Sequence, residues 1–524
     1  MVVTGSSLEA LPPSELLASL SLATDLGTGQ PLGHGLRTCV RAVALARQLG
    51  FGDEEVREVH QVSLLRFLGC SADASETAAM TGGDNLAFVS AMAPVVMGSQ
   101  GEQVRSLVRS VGAGLPPRPR ARRVASTLVD PGGGERSLSA HCEVAARLGT
   151  RLGLPPGTVA SLAHAYERWD GKGFPAGLRG TDVPVAVRIV SVARDVELFA
   201  RLAPEESPSI LQARRGRAYD PAVVDAVLAR EGDRPEFGAV DGLEGAWEAV
   251  VDAEPAPVAQ LGPHEIDRGL EAVADFADLY SSWTRGRSPR VAELARDAAR
   301  SFGLSGAEAH VIWRAALVAD VGRVSVPAGV WNHPGPLGVD GAEQVRLHPY
   351  WSERVLARCP ALRPLAALAG AHQERLDGSG YHRGSDAGTI GTAARLLAAA
   401  DVLVALGEDR PHRPALDRDA ALAVMRAEVR AGRLDAEAAD AVCSAAGHRV
   451  APARREWPKG LTDREVDVLR LIARGRTNRE VAAQLHLSPK TVGRHVENLY
   501  LKIGVSSRAA SALFAMEERL LDPS

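Results

Sequence analysis

The chain repeats itself. Tyr166-Glu-Arg-Trp-Asp-Gly-Lys-Gly-Phe-Pro returns as Gln373-Glu-Arg-Leu-Asp-Gly-Ser-Gly-Tyr-His, 207 residues further on. The same offset carries His141 onto His348 and Arg194 onto Asp401. Upstream the offset is 253: His34 falls on Arg287, and Leu65-Arg66-Phe67 falls on Val318-Ala319-Asp320. The two offsets differ by 46 residues, which measures an insertion in the first copy between Cys70 and Ser139. A unit of roughly 180 residues is too long for a solenoid repeat, so the pattern predicts a duplicated domain.

Both copies read as helix. Apolar residues recur at three- and four-residue spacing, as in Val40-Val43-Ala44-Leu45 and Val291-Leu294-Ala295, while the alternation a sheet would need is rare. Pro-rich breaks at Asp252 to Pro263 and at His448 to Gly460 divide the chain. The expected organisation is a first helical domain over 1–252 with its insertion near 71–138, and a linker over 253–262. A second helical domain over 263–447, a linker over 448–459 and a C-terminal domain over 460–524 follow. Three domains suit a chain of 524 residues with 45% hydrophobic and 24% charged residues, a composition that excludes a disordered or fibrous chain.

No apolar run reaches a membrane-spanning length; the richest, Leu396 to Leu406, is short and contains Asp401. The start carries Glu9 and Glu15 and lacks the basic segment of a secretory signal. The five cysteines are scattered, with no CxxC pair, as expected of reduced thiols. A cytoplasmic protein without membrane contact is the expectation.

The C-terminal segment carries the densest local signal. Thr462 with Glu465 and Thr477 with Glu480 are capping boxes that open two helices, the first ended by Gly475. Ser488 caps a third helix and Pro489 takes its first position. On that helix Val492, Val496, Leu499 and Ile503 form an apolar stripe. Lys490, Arg494 and Asn498 line another face, with Thr491, His495 and Lys502 beside it. A fourth helix begins near Ser507. From Arg470 to Arg508 there are eight basic and two acidic residues, a local charge of +6 in a chain whose net charge is -4. A helix, a short helix, a tight turn and a helix with a basic face make a helix-turn-helix with the charge that phosphate backbones attract.

Gly460 to Ala509 closely resembles the LuxR/GerE-type DNA-binding domain. The resemblance implies a four-helix fold, a major-groove helix starting at Pro489 and dimerisation through the fourth helix. It also implies contact with double-stranded DNA through Lys490, Thr491, Arg494, His495 and Asn498, with Lys502 nearby.

The repeated segments resemble HD-GYP domains, all-helical relatives of the HD phosphohydrolases, through Glu167 to Gly180, Glu374 to Tyr381, Pro327, Asn332 to Leu337 and Arg410 to Arg413. Active members hydrolyse cyclic diguanylate with clustered metals, and a metal pair clamps a phosphodiester and activates water. The family supplies an early His, a His-Asp pair with a nearby Lys, a middle His, a His-His pair and a late Asp. Carried over, the first copy keeps His34 and His141. It has Arg66-Phe67 for the His-Asp pair, Cys70 for the Lys, Ala165-Tyr166 for the His-His pair and Arg194 for the late Asp. The second copy has Arg287 for the early His, Ala319-Asp320, Arg323, His348, His372-Gln373 and Asp401.

Two ligands in the first copy cannot hold a catalytic metal pair. The second copy retains four candidates, Asp320, His348, His372 and Asp401, of a type that suits Mn, Fe or Zn. Arg287 would set a fixed cation beside them. Arg66, Arg194 and Arg287 stand where the family keeps its metal. A guanidinium there either replaces the metal's charge or holds an anion such as a nucleotide or phosphate-bearing effector.

The remaining features read as structural. His60, His164, His310 and His486 are structural or surface residues. Asp170 and Asp377 fix turn geometry. The basic Pro116 to Arg123 run is a solvated loop, and Met80, Met92 and Met97 pack a helix. The expectation is therefore a mainly α chain: two tandem HD-domain-like bundles plus a four-helix helix-turn-helix. Its expected function is that of a homodimeric DNA-binding transcriptional regulator whose HD-like domains sense or dimerise. The alternative is a metal-dependent phosphohydrolase working in the second copy.

Overall fold

A computed structural model of the chain describes residues 10–96, 98–129, 133–229, 240, 242–447 and 457–521. Among them there is no strand, only isolated bridges. No helix is long and apolar enough to cross a membrane. The chain divides into two compact units, Ala10–Gly269 and Leu270 onward.

In the first unit, α1 (Pro13–Gly27), α2 (His34–Gln48), α3 (Asp53–Leu65), α8 (Gly133–Arg151), α9 (Pro156–Ala163) and α10 (Val185–Leu202) form the bundle. Its centre holds Leu36, Val43, Leu64, Leu65, Leu148, Leu162 and Val190, all closed to solvent. The insertion folds as α4 (Ala74–Thr81), α5 (Asn85–Met92), α6 (Gln100–Ser110) and α7 (Pro117–Val129). The short α11 (Ser207–Arg214) and α12 (Pro221–Leu228) and then α13 (Gly242–Ala253) complete the unit.

The basic Pro116 to Arg123 run is therefore not a loop. Pro117 and Pro119 fall in the first turn of α7, where a missing N–H costs no helical bond. Met80 and Met92 are half-buried on α4 and α5, and Met97 lies outside the described residues. The segment 253–262 is laid back on its own unit: Leu261 N–H donates to Leu11 O at 2.9 Å, and Arg57 Nη2 donates to Pro255 O at 2.9 Å. Most of the other expected linker, 448–456, lies outside the described residues.

The second unit begins within α14 (Pro263–Leu279). It continues with α15 (Arg287–Ser301), α16 (Gly306–Val318), α17 (Ala328–Trp331), α18 (Val339–Arg346), α19 (His348–Leu356) and α20 (Arg363–Ala371). The helices α21 (Thr392–Leu406), α22 (Arg418–Arg430) and α23 (Ala436–Gly447) close its bundle. Val291, Ala295 and Ala298 form the buried stripe of α15, which packs on α16, α21 and α23. A capping box of Ser305 and Glu308 starts α16. The unit ends in α24 (Asp463–Ala473), α25 (Asn478–Gln484), α26 (Pro489–Ile503) and α27 (Arg508–Glu517).

The duplication reaches individual hydrogen bonds. α2 and α15 each open after a left-handed glycine, Gly33 at φ 85° and Gly286 at φ 71°, a conformation only glycine adopts without strain. A buried aspartate caps each start. Asp25 accepts from Gly33 N–H at 2.8 Å and Gly35 N–H at 3.0 Å; Asp278 accepts from Ser288 N–H at 2.8 Å and Ser288 Oγ at 2.7 Å. Asp25 and Asp278 are 253 residues apart, the upstream offset of the repeat.

Candidate functional site

In the second unit Asp320 starts a tight 3-10 turn, Val321–Ser325, pressed against α19. The approach demands glycine at 322, where a Cβ would lie 2.2 Å from His348 O and 2.4 Å from Ser352 N. Ser352 Oγ ties the two together, accepting from Gly322 N–H at 2.8 Å and donating to Ala319 O at 2.6 Å. The first unit repeats this contact, with Gly69 against His141 O.

This turn brings Asp320 onto two imidazoles. Asp320 Oδ1 lies 3.3 Å from His348 Nε2 and 3.3 Å from His372 Nε2, and the two Nε2 atoms are 3.4 Å apart. The Nδ1 atoms point the other way, onto Val345 O at 2.7 Å and Ala369 O at 2.6 Å. A carbonyl only accepts, so both Nδ1 atoms carry the proton and both Nε2 atoms face Asp320. Backbone carbonyls commonly fix metal-binding histidines in this way. All three residues are buried, and Asp320 Oδ1 has no hydrogen-bond donor. Among the described residues this is the group of three donors that could hold a metal ion.

The charges agree. Burial acts to raise the Asp320 carboxyl, but Arg323 and the two imidazoles outweigh it and hold it well below the usual range. Burial keeps the His348 imidazolium disfavoured, while Asp320 overcomes burial at His372 and favours its charged form.

Asp401 does not join them. Its Oδ1 lies 2.6 Å from Arg287 Nη2 and its Oδ2 accepts from Gln373 Nε2 at 2.8 Å. Arg287 also reaches Glu408 Oε2 at 2.7 Å and Asp320 Oδ2 at 3.4 Å. Arg323 takes the same Asp320 Oδ2 at 2.9 Å. The carboxylates around Arg287 outweigh its burial and keep it charged. Its side chain is 3% exposed and all three of its nitrogens are matched by acceptors, which leaves no edge of the guanidinium for an external anion.

The first unit is built differently. Burial, with Arg194, Arg37 and Arg201, pushes His34 down to about 3, so it is neutral. His141 Nε2 lies 2.7 Å from Asp73 Oδ1, and its Nδ1 faces Cys70 Sγ at 3.9 Å. Tyr166 Oη is 3.4 Å from the same sulfur. Asp73 went unread in the sequence because it sits at the start of the insertion, outside any repeat register. Arg66 reaches Ser191 Oγ at 3.2 Å and lies over the Tyr166 ring; Arg194 pairs with Asp195 at 2.8 Å.

The other histidines serve packing. His60 Nε2 meets Val250 O at 3.0 Å, His310 stacks on Trp313, and His164 lies beside Glu167. His486, exposed at φ 54°, forms the turn before α26. Asp170 and Asp377 accept from the N–H two residues on, at 3.2 Å and 3.0 Å.

In the C-terminal helices, Thr462/Glu465 and Thr477/Glu480 form their capping boxes and Ser488 caps α26. Lys490, Thr491, Arg494 and Asn498 are exposed along α26, and His495 is half-buried. Lys502 is engaged: its Nζ lies 2.7 Å from Glu465 Oε2 and 3.1 Å from Gly460 O. The fourth helix is covered. Ala509 to Met516 are buried without interruption, so no face of α27 is open. Its bundle packs on the HD-like helices of the same unit, with Leu521 against Gly286, Gly475 against Ser282 and Arg476 3.5 Å from Asp409.

Comparison with known proteins agrees with this architecture. Residues 135–223 and 271–438 match the HD domain family, and residues 459–515 match the luxR family of bacterial regulatory proteins. A 3'3'-cGAMP-specific phosphodiesterase 3 of Vibrio cholerae is 28% identical over 422 residues, 79% of this chain and 90% of that protein. A crystal structure of a cyclic GMP-AMP-specific phosphodiesterase of V. cholerae superposes with a TM-score of 0.58 at 25% identity, covering 84% of this chain and 99% of that one. The probable transcriptional regulatory protein NarL of Mycobacterium tuberculosis is 50% identical over 62 residues, 12% of this chain and 29% of that protein. The chain is thus an HD-domain protein, with HD sequence in two stretches, that ends in a DNA-binding domain of the luxR regulatory family.

Proposed function

We propose that this chain is a homodimeric transcriptional regulator in which the two HD units form a sensing and dimerising body and α26 reads DNA. One observation carries the reading. Lys490, Thr491, Arg494 and Asn498 stand exposed on one helix, while the arginine at the heart of the second unit is spent on its own carboxylates. In this reading the exposed cations supply the phosphate contacts that set register, and Thr491 and Asn498 contact the bases. Binding of the full-length protein to fragments of its own genome, followed by anisotropy across a salt series, tests this. Salt-dependent binding that weakens in Lys490→Ala and Arg494→Ala is expected. Unchanged binding in both variants would remove α26 as the reading helix.

A second reading, a metal-dependent phosphodiesterase in the second unit, is favoured by the donor set itself. Two imidazoles with fixed Nδ1 protons and a carboxylate oxygen without a donor fit one divalent Mn, Fe or Zn ion. When bound, such an ion polarises a phosphodiester and makes its water acidic. Asp320 Oδ2 is held by Arg323, which aims Oδ1 at the imidazoles; Arg287 holds Asp401 away. Elemental analysis of protein purified without chelators, then turnover of 3'3'-cGAMP and cyclic diguanylate, tests it. About one ion per chain and turnover abolished by Asp320→Ala and His372→Ala would establish the enzyme. Metal without turnover would leave a structural or sensory ion.

A further inference from the structure

On α10 of the first unit two carboxylates are shared among four guanidinium groups. Asp195 serves two guanidinium groups, with Arg194 Nη1 on Oδ1 at 2.8 Å and Arg214 Nη1 on Oδ2 at 2.8 Å. Glu197 is occupied by Arg37 at 2.6 Å and Arg41 at 2.9 Å. Asp73 is occupied by His141. Arg66 is 7% exposed and has no carboxylate; its contacts are Ser191 Oγ and the face of Tyr166. Its Nε is buried without an acceptor, and so is Nε of Arg194.

Ser191 and Arg194 are one turn apart on α10, so Arg66 and Arg194 reach the same face of that helix. The carbonyls of Ala93 and Pro94, from the segment between α5 and α6, lie over this place, at 2.5 Å from Arg194 Nη1 and 2.7 Å from Arg214 Nη2. His141 and Arg194 keep 13% and 14% of their side-chain surface open. In the second unit, by contrast, Arg287, Arg290, Arg323 and Arg410 each face a carboxylate.

We propose that the first unit binds a phosphate-bearing small molecule, with its phosphoryl oxygens between Arg66 and Arg194. An unpaired buried cation costs stability, and a phosphate returns it through two charge-assisted hydrogen bonds per guanidinium. Burial and the charge of Arg194 both push Arg66 toward losing its proton, a tension an anion relieves. No bond is made or broken there: the site binds and does not hydrolyse. It requires neither DNA binding by α26 nor turnover in the second unit, so those readings stand or fall separately.

The test is isothermal titration and thermal melting of the full-length protein with inorganic phosphate and, separately, with 3'3'-cGAMP, at constant ionic strength. A ligand at a hundredfold excess over its Kd raises the melting temperature by roughly 4 °C or more. Arg66→Met is expected to weaken binding at least tenfold and to melt no lower than the wild type without ligand, because it deletes an unmatched cation. Binding of phosphate alone assigns a free phosphate ligand; binding of the dinucleotide alone assigns a diester. No binding of either probe, or equal binding in Arg66→Met, overturns the proposal. Should Arg66→Met fail to fold, Arg66→Lys keeps the charge and loses the fork; undiminished binding in it overturns the proposal too.

Discussion

Arg287 Nη2 stands 2.6 Å from Asp401 Oδ1 at the centre of the second unit, so the last candidate metal ligand of the sequence is neutralised by the residue that replaces the first. The same guanidinium binds Glu408 and Asp320. Its removal would leave Asp401 buried without a cation, while Arg323 keeps Asp320 and Arg290 and Arg410 keep Glu408. Arg287→Ala is expected to destabilise the second unit by about 3–5 kcal/mol, the cost of stripping one partner from a buried ion network. Urea unfolding followed by Trp313 and Trp331 fluorescence measures it; a loss below about 1 kcal/mol would show that the network contributes little.

Much of this site was legible in the sequence because the repeated segments resemble HD-GYP domains. That resemblance implied Asp320, His348 and His372 as ligands, and the offsets of 253 and 207 residues showed where the first copy departs from the pattern. The direction of Asp401 was not legible: a carboxylate on α21 has no sequence mark that says whether it turns to an imidazole or a guanidinium. The pairing of Asp73 with His141 was hidden in an insertion without register. The helical state of the Pro116 to Arg123 segment was masked by prolines that are harmless in a first turn.

The basic face of α26 divides into free and engaged cations. Lys490→Ala and Arg494→Ala are each expected to lower the slope of log K against log salt by about 1. Lys502, held by Glu465 and Gly460 O, should change that slope by less than half as much when replaced by Ala. Anisotropy on one duplex from about 50 to 200 mM salt separates the three. Equal slopes for Lys502→Ala and Arg494→Ala would mean that Lys502 leaves its partners to bind DNA.

Acidity should stabilise the first unit through Asp25. Burial, against two backbone N–H bonds, pushes this carboxyl up to about 7. The folded chain therefore keeps a proton that the unfolded chain releases near pH 4. The stability linked to it is complete below about pH 4 and is lost as pH rises through about 7, by up to about 4 kcal/mol. Melting temperatures between pH 5 and 8 should fall, and Asp25→Asn, which carries no titrating proton, should flatten that fall. An unchanged pH profile in Asp25→Asn would show that Asp25 is ionised throughout.

The covered fourth helix sets a condition on dimerisation. The luxR resemblance assigns α27 to the contact between two copies, yet Ala509 to Met516 are closed and Leu521 rests on Gly286. A dimer through α27 requires the bundle to leave α14 and α15 first. Gly475 comes so near Ser282 that a Cβ on Gly475 would lie 2.8 Å from Ser282 Cβ, so bulk on the Gly475 side of position 282 presses on the bundle. Ser282→Trp should wedge the bundle away while leaving α24 to α27 intact, since position 282 is not part of their core. The variant is expected to form a tighter dimer than the wild type in sedimentation velocity and to bind DNA several-fold more tightly. If Ser282→Trp assembles as the wild type does, with unchanged affinity, α27 is a packing helix in this protein and the two copies meet elsewhere.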